Sequence, residues 1–348
     1  MGKKLYLRHG NINKTHFQDM KRHSFLLALL AACSMQAQHT FQNPVIPTDW
    51  PDPTIWKAGD TYYSVATGLK TLRTSKDMVN WTDTEQSPIT QKGRDSLEAY
   101  APNIWAPSVA KIGKKWMLYV SSYKDDTNCR ISVFSSKKPE GPFKWEGFLL
   151  DGVRDCNVIN SIDPFVIENE GQVLLFYGSL EDGIHVQHLT NDGLALAPGS
   201  EPKHIGGVRR PKNKFVKEAY EGTYVMKHGG WWYLFCSGGA YYDETYHLSV
   251  ARSRDIEGPY YDKEGNPLTE GKALPLLASK KRDRFVGPGH NGDVFATPDG
   301  RTFMFYHSHD KTLDKDSRPT LLQEVLWDAQ GWPYFRGGKP ALHEEYPL

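Results

Sequence analysis

Three carboxylates, Asp52, Asp163 and Glu221, stand at matching places along the chain. Each opens a short motif of an acid, then Pro or Gly, then an apolar run: Asp52-Pro53-Thr54-Ile55, Asp163-Pro164-Phe165-Val166 and Glu221-Gly222-Thr223-Tyr224. Two further copies, Ala106-Pro107-Ser108-Val109 and Asn291-Gly292-Asp293-Val294, lack an acid at the first position. The five first positions lie 54, 57, 58 and 70 residues apart. A lone Asp-Pro usually does no more than start a turn. Three acids at equivalent points of a repeat are different, because gathered carboxylates repel one another and need a use. They either bind a metal or perform acid–base chemistry in which neighbours push pKa values apart. Hydrolysis of a glycosidic bond needs the second arrangement, with one carboxyl protonated and one ionised on opposite sides of the scissile bond.

The elements that must position these acids repeat with them. A turn glycine follows each motif start by seven to nine residues: Gly59, Gly113, Gly171, Gly229 or Gly230, and Gly300. An aromatic-rich strand comes next, at Tyr62–Val65, Trp116–Tyr119, Leu174–Tyr177, Trp232–Phe235 and Phe303–Tyr306. Third and fourth strands are expected in each unit, among them Arg130–Phe134, Ile184–Gln187, Tyr246–Ala251 and Thr320–Trp327, with Gly141-Pro142 and Gly258-Pro259 closing two units in the same way. Antiparallel units of roughly 50–60 residues are propeller blades. The predicted fold is therefore all-β, a single five-bladed β-propeller over residues 39–348. A chance likeness among the hairpins of a β-sandwich is the alternative. In a propeller the innermost strands face the axis, so the five first positions converge.

Composition agrees with strands and with sugar surfaces. The chain has 348 residues, 10 Trp, 18 Tyr and 15 Phe, beside 31 Gly and 22 Pro that interrupt helices. Its net charge is only +1, without a long basic block after the first residues, so charge-driven binding to nucleic acid or membrane is not indicated. Residues 1–38 read as a leader. Lys21 and Arg22 precede the apolar run Phe25–Cys33, too short to span a bilayer and fitting a signal-peptide core. Two exits are open: Leu30-Ala31-Ala32-Cys33 fits a lipobox with a lipid anchor on Cys33, and Met35-Gln36-Ala37 fits ordinary cleavage near Gln38. Either gives an exported protein, periplasmic, secreted or lipid-anchored. Cys129, Cys156 and Cys236 lack CxxC spacing, so neither a zinc site nor a disulfide framework is expected.

At its acids the chain resembles glycoside hydrolase family 43. The likeness rests on Trp50-Pro51-Asp52-Pro53, Asn103-Ile104-Trp105-Ala106-Pro107-Ser108, Ser161-Ile162-Asp163-Pro164, Glu221-Gly222, Gly287-Pro288-Gly289-His290-Asn291, and Arg318 before Thr320-Leu321. It implies five-bladed inverting hydrolases of arabinose- and xylose-containing glycans. Carried over by position, it makes Asp52 the general base, Glu221 the general acid, and Asp163 the residue that raises and orients Glu221. Glu218 is the rival acid, with repeat register favouring Glu221. The same resemblance implies Asn103, Trp105 and Arg318 as substrate-binding, and His290 as the one protein ligand of a structural calcium at the axis. No cofactor is needed for the chemistry. Arg318 has a solvated loop arginine as its alternative, and Trp105 a place in the core.

The function this implies is release or cleavage of α-L-arabinofuranosyl units from plant polysaccharide. Rivals on the same scaffold are a β-xylosidase, an exo-galactosidase and a fructoside-acting relative. A lectin-like propeller is the non-catalytic rival, and it has no use for three clustered acids.

Overall fold

The computed structural model describes residues 1–2, 40–101, 103–209 and 219–347. The chain divides into Met1–Phe41 and Gln42–Leu348. Lys21, Arg22, the lipobox with Cys33 and both exits lie outside the described residues, as does Glu218.

The described residues of the second unit form a five-bladed propeller. Blade 1 holds strands Thr54–Ala58, Thr61–Val65, Arg73–Ser75 and Trp81–Asp83. Blade 2 holds Asn103–Ile112, Lys115–Asp125, Asn128–Ser136 and Lys144–Asp151. Blade 3 comprises Phe165–Asn169, Gln172–Tyr177, Ile184–Leu189 and Lys203–Gly206. In blade 4 the strands are Tyr220–His228, Trp231–Gly238, His247–Ser253 and Pro275–Leu277. Blade 5 splits its inner strand into Phe285–Gly289 and Val294–Ala296, both paired with Thr302–Asp310, and continues through Thr320–Trp327 and Pro333–Tyr334. Each strand pairs antiparallel with the next, as the alternating apolar runs and turn glycines require.

The aromatic strands are the second of each blade, and their side chains fill the seams between blades. Tyr119 and Ile131 of blade 2 pack with Leu175 and Tyr177 of blade 3. Phe176 of blade 3 joins Tyr220 and Leu234 of blade 4, and Phe235 of blade 4 meets Tyr306 and Leu321 of blade 5. Every ring of this kind removes about 150–250 Å² from water, so the seams supply most of what holds neighbouring blades together. The ring closes by chain crossing. Asn43 Nδ2 donates to Leu322 O at 2.9 Å while Leu322 N donates to Asn43 Oδ1 at 3.0 Å, and Ile46 and Thr320 exchange backbone bonds at 3.2 Å. The segment that enters blade 1 is thereby tied to blade 5.

Two helices depart from the sequence reading, the five-residue Gly152–Cys156 after blade 2 and a longer one. A ten-residue helix, Gln91–Tyr100, sits between blades 1 and 2, capped by Thr90 Oγ1, which accepts from Gly93 N at 3.3 Å. Its sequence has almost no apolar stripe, and only Gly93 and Leu97 are buried. The three cysteines of the propeller are free thiols. None of the helices among the described residues is long and apolar enough to cross a membrane.

Candidate active site

Each inner strand starts irregularly, and the irregularity aims the acids. Asp52 and Asp163 adopt left-handed backbone angles, φ 53° and 56°, just before strands Thr54–Ala58 and Phe165–Asn169. Asp tolerates this region because its short side chain can bond locally. In blade 4 the pairing slips between Glu221 and Tyr224, and Gly222 takes φ 62°. A side chain at Gly222 would stand 3.0 Å from His290 Cγ, so both the left-handed backbone and the close approach of His290 favour glycine there. His290 occupies the same left-handed state at φ 43° in blade 5. Backbone geometry thus aligns Asp52 and Asp163 with Gly222 and His290, one residue off the expected alignment with Glu221 and Asn291. Glu221 reaches the pocket from the position before the turn.

A second ring of residues holds the first. Thr67, Ser121, Ser179, Ser237 and His307 lie towards the ends of the second strands or just past them, spaced 54, 58, 58 and 70 residues apart. Four of them bond the motif start of the following blade. Ser121 Oγ accepts from Asp163 N at 2.9 Å, and Ser237 Oγ accepts from His290 N at 2.7 Å. Ser179 Oγ donates to Glu221 Oε2 at 2.7 Å. His307 Nδ1 accepts from Asp52 N at 3.1 Å and so closes the circle from blade 5 to blade 1. Thr67 serves its own blade and donates to Asp52 Oδ2 at 2.6 Å. This ring escaped the sequence reading although its spacing nearly copies that of the acids.

The three acids are buried together, and their surroundings differ in sign. Around Asp52 Oδ1 stand Arg318 Nη1 at 3.3 Å, His290 Nδ1 at 3.2 Å and His307 Nδ1 at 3.2 Å. Burial draws the Asp52 carboxyl upward, but Arg318 and then His290 outweigh it and hold it well below the usual carboxylate range. Asp163 feels the opposite balance. Burial, then the charges of Glu221 and Asp52, push it well above its ordinary value, against the backbone bond from Gly222 N at 3.2 Å to Oδ2 and the charge of Arg318. Asp163, expected to act on its neighbour, is thus itself a raised carboxyl. Glu221 is gripped at both oxygens, by Ser179 and by Tyr246 OH at 2.7 Å to Oε1. His307 is driven down to about 3, by burial first and then by Arg318, so it is neutral at physiological pH. A neutral imidazole that accepts at Nδ1 carries its proton on Nε2; that atom is buried without a hydrogen-bond partner among the described residues.

The remaining expected residues are placed as follows. Arg318 is no solvated loop residue. Besides meeting Asp52 it lies 5.3 Å from the centroid of the Tyr241 ring, and its amide donates to Asp49 Oδ1 at 3.0 Å. Trp105 is half-buried and stacks on Tyr123, ring centroids 3.9 Å apart at 13°, one residue before Ala106, whose carbonyl accepts from Ser121 Oγ at 3.4 Å. Asn103 stands exposed at the start of the same strand. His290 Nδ1 faces two acids, 3.2 Å from Asp52 and 3.8 Å from Asp163. Calcium prefers six to eight oxygen ligands, and no group of three or more His, Cys, Asp or Glu side chains among the described residues is arranged to hold a metal. The side chains present do not fit a calcium shell built by the protein.

A propeller at whose axis a carboxyl held low stands beside one pushed up, with a third acid next to them, is the layout of a glycoside hydrolase. The profile of glycosyl hydrolases family 43 matches residues 41–333, and the chain belongs to that family. An extracellular exo-α-(1→5)-L-arabinofuranosidase of Cellvibrio japonicus is 29% identical over 345 residues, covering 93% of this chain and 94% of the relative. An extracellular endo-α-(1→5)-L-arabinanase of Bacillus subtilis is 30% identical over 299 residues, 82% of this chain and 87% of the relative. Among solved structures, the Cellvibrio cellulosa α-L-arabinanase complexed with arabinohexaose superposes with a TM-score of 0.72 at 28% identity, covering 82% of this chain and 95% of that one. The protein is a glycoside hydrolase, which sets aside the lectin-like propeller.

Proposed function

We propose that the protein hydrolyses α-L-arabinofuranosyl linkages of arabinose-containing plant polysaccharide with inversion, Asp52 acting as base and Glu221 as acid. One observation carries this: three buried acids come together where Arg318 and His290 hold the Asp52 carboxyl low, while burial and the charges of Glu221 and Asp52 push Asp163 up beside Glu221. In a single displacement, Asp52 takes a proton from water as the water oxygen bonds to the anomeric carbon. The glycosidic C–O bond breaks with its electron pair going to the leaving oxygen, which takes the carboxyl proton of Glu221 and leaves Glu221 as the carboxylate, while Asp52 ends protonated. Arg318, between Asp52 and Tyr241, and Trp105, stacked on Tyr123, are the groups we assign to the sugar, together with Asn103. The arabinan-acting relatives support the choice of sugar.

Export follows the extracellular relatives; fractionation of cells carrying the wild type or Cys33→Ala tests the anchor. A calcium ion here would have His290 as its one protein ligand and a shell otherwise of water. Chelation followed by melting with and without added calcium tests it, and an unchanged melting temperature removes it. The substrate is tested by incubating the enzyme with linear arabinan, xylan, galactan and fructan. Arabinose or arabino-oligosaccharides from the first alone support the reading; xylose or galactose as the main product overturns it.

A further inference from the structure

Tyr246 is one of the most deeply buried side chains of the protein, yet it is polar and the chemistry above does not use it. It precedes strand His247–Ser253 of blade 4, and its ring lies parallel to that of His307, 5.8 Å between centroids and 6° between planes. Its place is made by an absent side chain: a Cβ on Gly289 would fall 2.1 Å from Tyr246 Cε1. The phenol so fixed donates to Glu221 Oε1 at 2.7 Å. Ser179, from the neighbouring blade and fully buried, donates to Oε2 of the same carboxyl at 2.7 Å. Blades 3 and 4 therefore each supply one hydroxyl to one carboxyl, and between them they set its position.

We propose that Tyr246 and Ser179 are positioning residues that act through Glu221, stabilising its carboxylate as the proton leaves and so setting how poor a leaving group the enzyme can expel. This rests on the reading of Glu221 as the acid. As the O–H bond of Glu221 breaks and the proton joins the leaving oxygen, the carboxyl becomes negative. A hydroxyl bonded to an ionised acceptor holds it about twice as strongly as a neutral one. Both bonds thus strengthen towards the transition state, and only interactions of that kind raise the chemical rate. Burial and then the charge of Glu221 push the Tyr246 phenol far above its ordinary range, so it stays a donor throughout. The geometry suits the role because both donors stand on packed strand ends and need no rearrangement when charge develops.

Aryl arabinofuranosides separate this role from general support, since a nitrophenolate leaves with little help from an acid whereas a sugar alkoxide does not leave without it. Tyr246→Phe and Ser179→Ala are expected to lower kcat on arabino-oligosaccharides by about 10- to 100-fold. On 4-nitrophenyl arabinofuranoside the expected loss is within about 3-fold, with KM and melting temperature little changed, and Ser179→Thr restores the loss. Across a series of aryl leaving groups, both variants steepen the dependence of kcat on leaving-group pKa. An equal loss on every leaving group, or no loss at all, overturns the proposal. Glu221→Gln serves as the control. Should it retain full activity on oligosaccharides, the assignment of the acid itself fails; should it be inactive there while Tyr246→Phe is indifferent to the leaving group, only the present proposal fails. If Tyr246→Phe does not fold, the Ser179 pair decides alone.

Discussion

Asp293 gives a test of the electrostatics that needs no substrate. It lies three residues after His290, and its Oδ2 accepts from Ile55 N at 2.8 Å and from Thr54 Oγ1 at 3.5 Å, tying blade 5 to blade 1. Burial pushes its carboxyl from 3.8 up to about 7 in the folded chain, against those two bonds. Below pH 4 it is protonated whether folded or not, and its full contribution to stability is present. Between about pH 4 and 7 the unfolded chain gives up the proton while the folded one retains it, so stability falls as pH rises; above about 7 the loss is complete. Three pKa units at 1.36 kcal/mol each set an upper bound of about 4 kcal/mol, reduced by whatever water reaches the site. Asp293→Asn keeps the acceptor oxygen for Ile55 and removes the charge. Urea unfolding at pH 4, 6 and 8 should find the variant matching the wild type at pH 4 and exceeding it by about 2–4 kcal/mol at pH 8. A variant less stable than the wild type at pH 8 would refute the reasoning, because the ionised carboxyl would then be stabilising the fold, for instance beside a bound cation.

Two further outcomes are expected. Arg318→Ala removes the leading cation that holds Asp52 down, so the acid limb of the kcat/KM profile moves to higher pH; a limb that stays in place shows that Asp52 is not the group titrating there. Gly289→Ala drives a methyl into the Tyr246 ring, and is expected to cost about 1–3 kcal/mol in urea unfolding while lowering activity on oligosaccharides; full activity at wild-type stability would show that the ring moves aside freely.

The acids were legible because they recur. Asp52 and Asp163 sit at corresponding turns, and a carboxylate at a position otherwise filled by Ala106 asks for a reason. The aromatic strands were legible too, since short continuous runs of apolar and aromatic residues after turn glycines read as buried strands. What stayed hidden depends on backbone geometry. The slip between Glu221 and Tyr224 displaces the repeat by one residue without leaving a mark in composition. Thr67, Ser121, Ser179 and Ser237 are among the commonest strand-end residues, and only their spacing sets them apart; His307 breaks even that pattern. Tyr246 belongs to neither ring and reaches Glu221 by packing under Gly289, which no periodicity announces. The helix Gln91–Tyr100 is stabilised by its cap and by Leu97, too little for an apolar stripe to show.

The central claim is a single displacement with Asp52 and Glu221 on opposite faces of the sugar, and the anomer first released tests it most directly. Proton NMR of the wild-type enzyme acting on an α-linked arabino-oligosaccharide, recorded within the first minutes before mutarotation, should show the β-anomer of the new reducing end appearing first. Initial release of the α-anomer would mean two displacements through a covalent intermediate, and would contradict the assignment of Asp52 as a base acting on water.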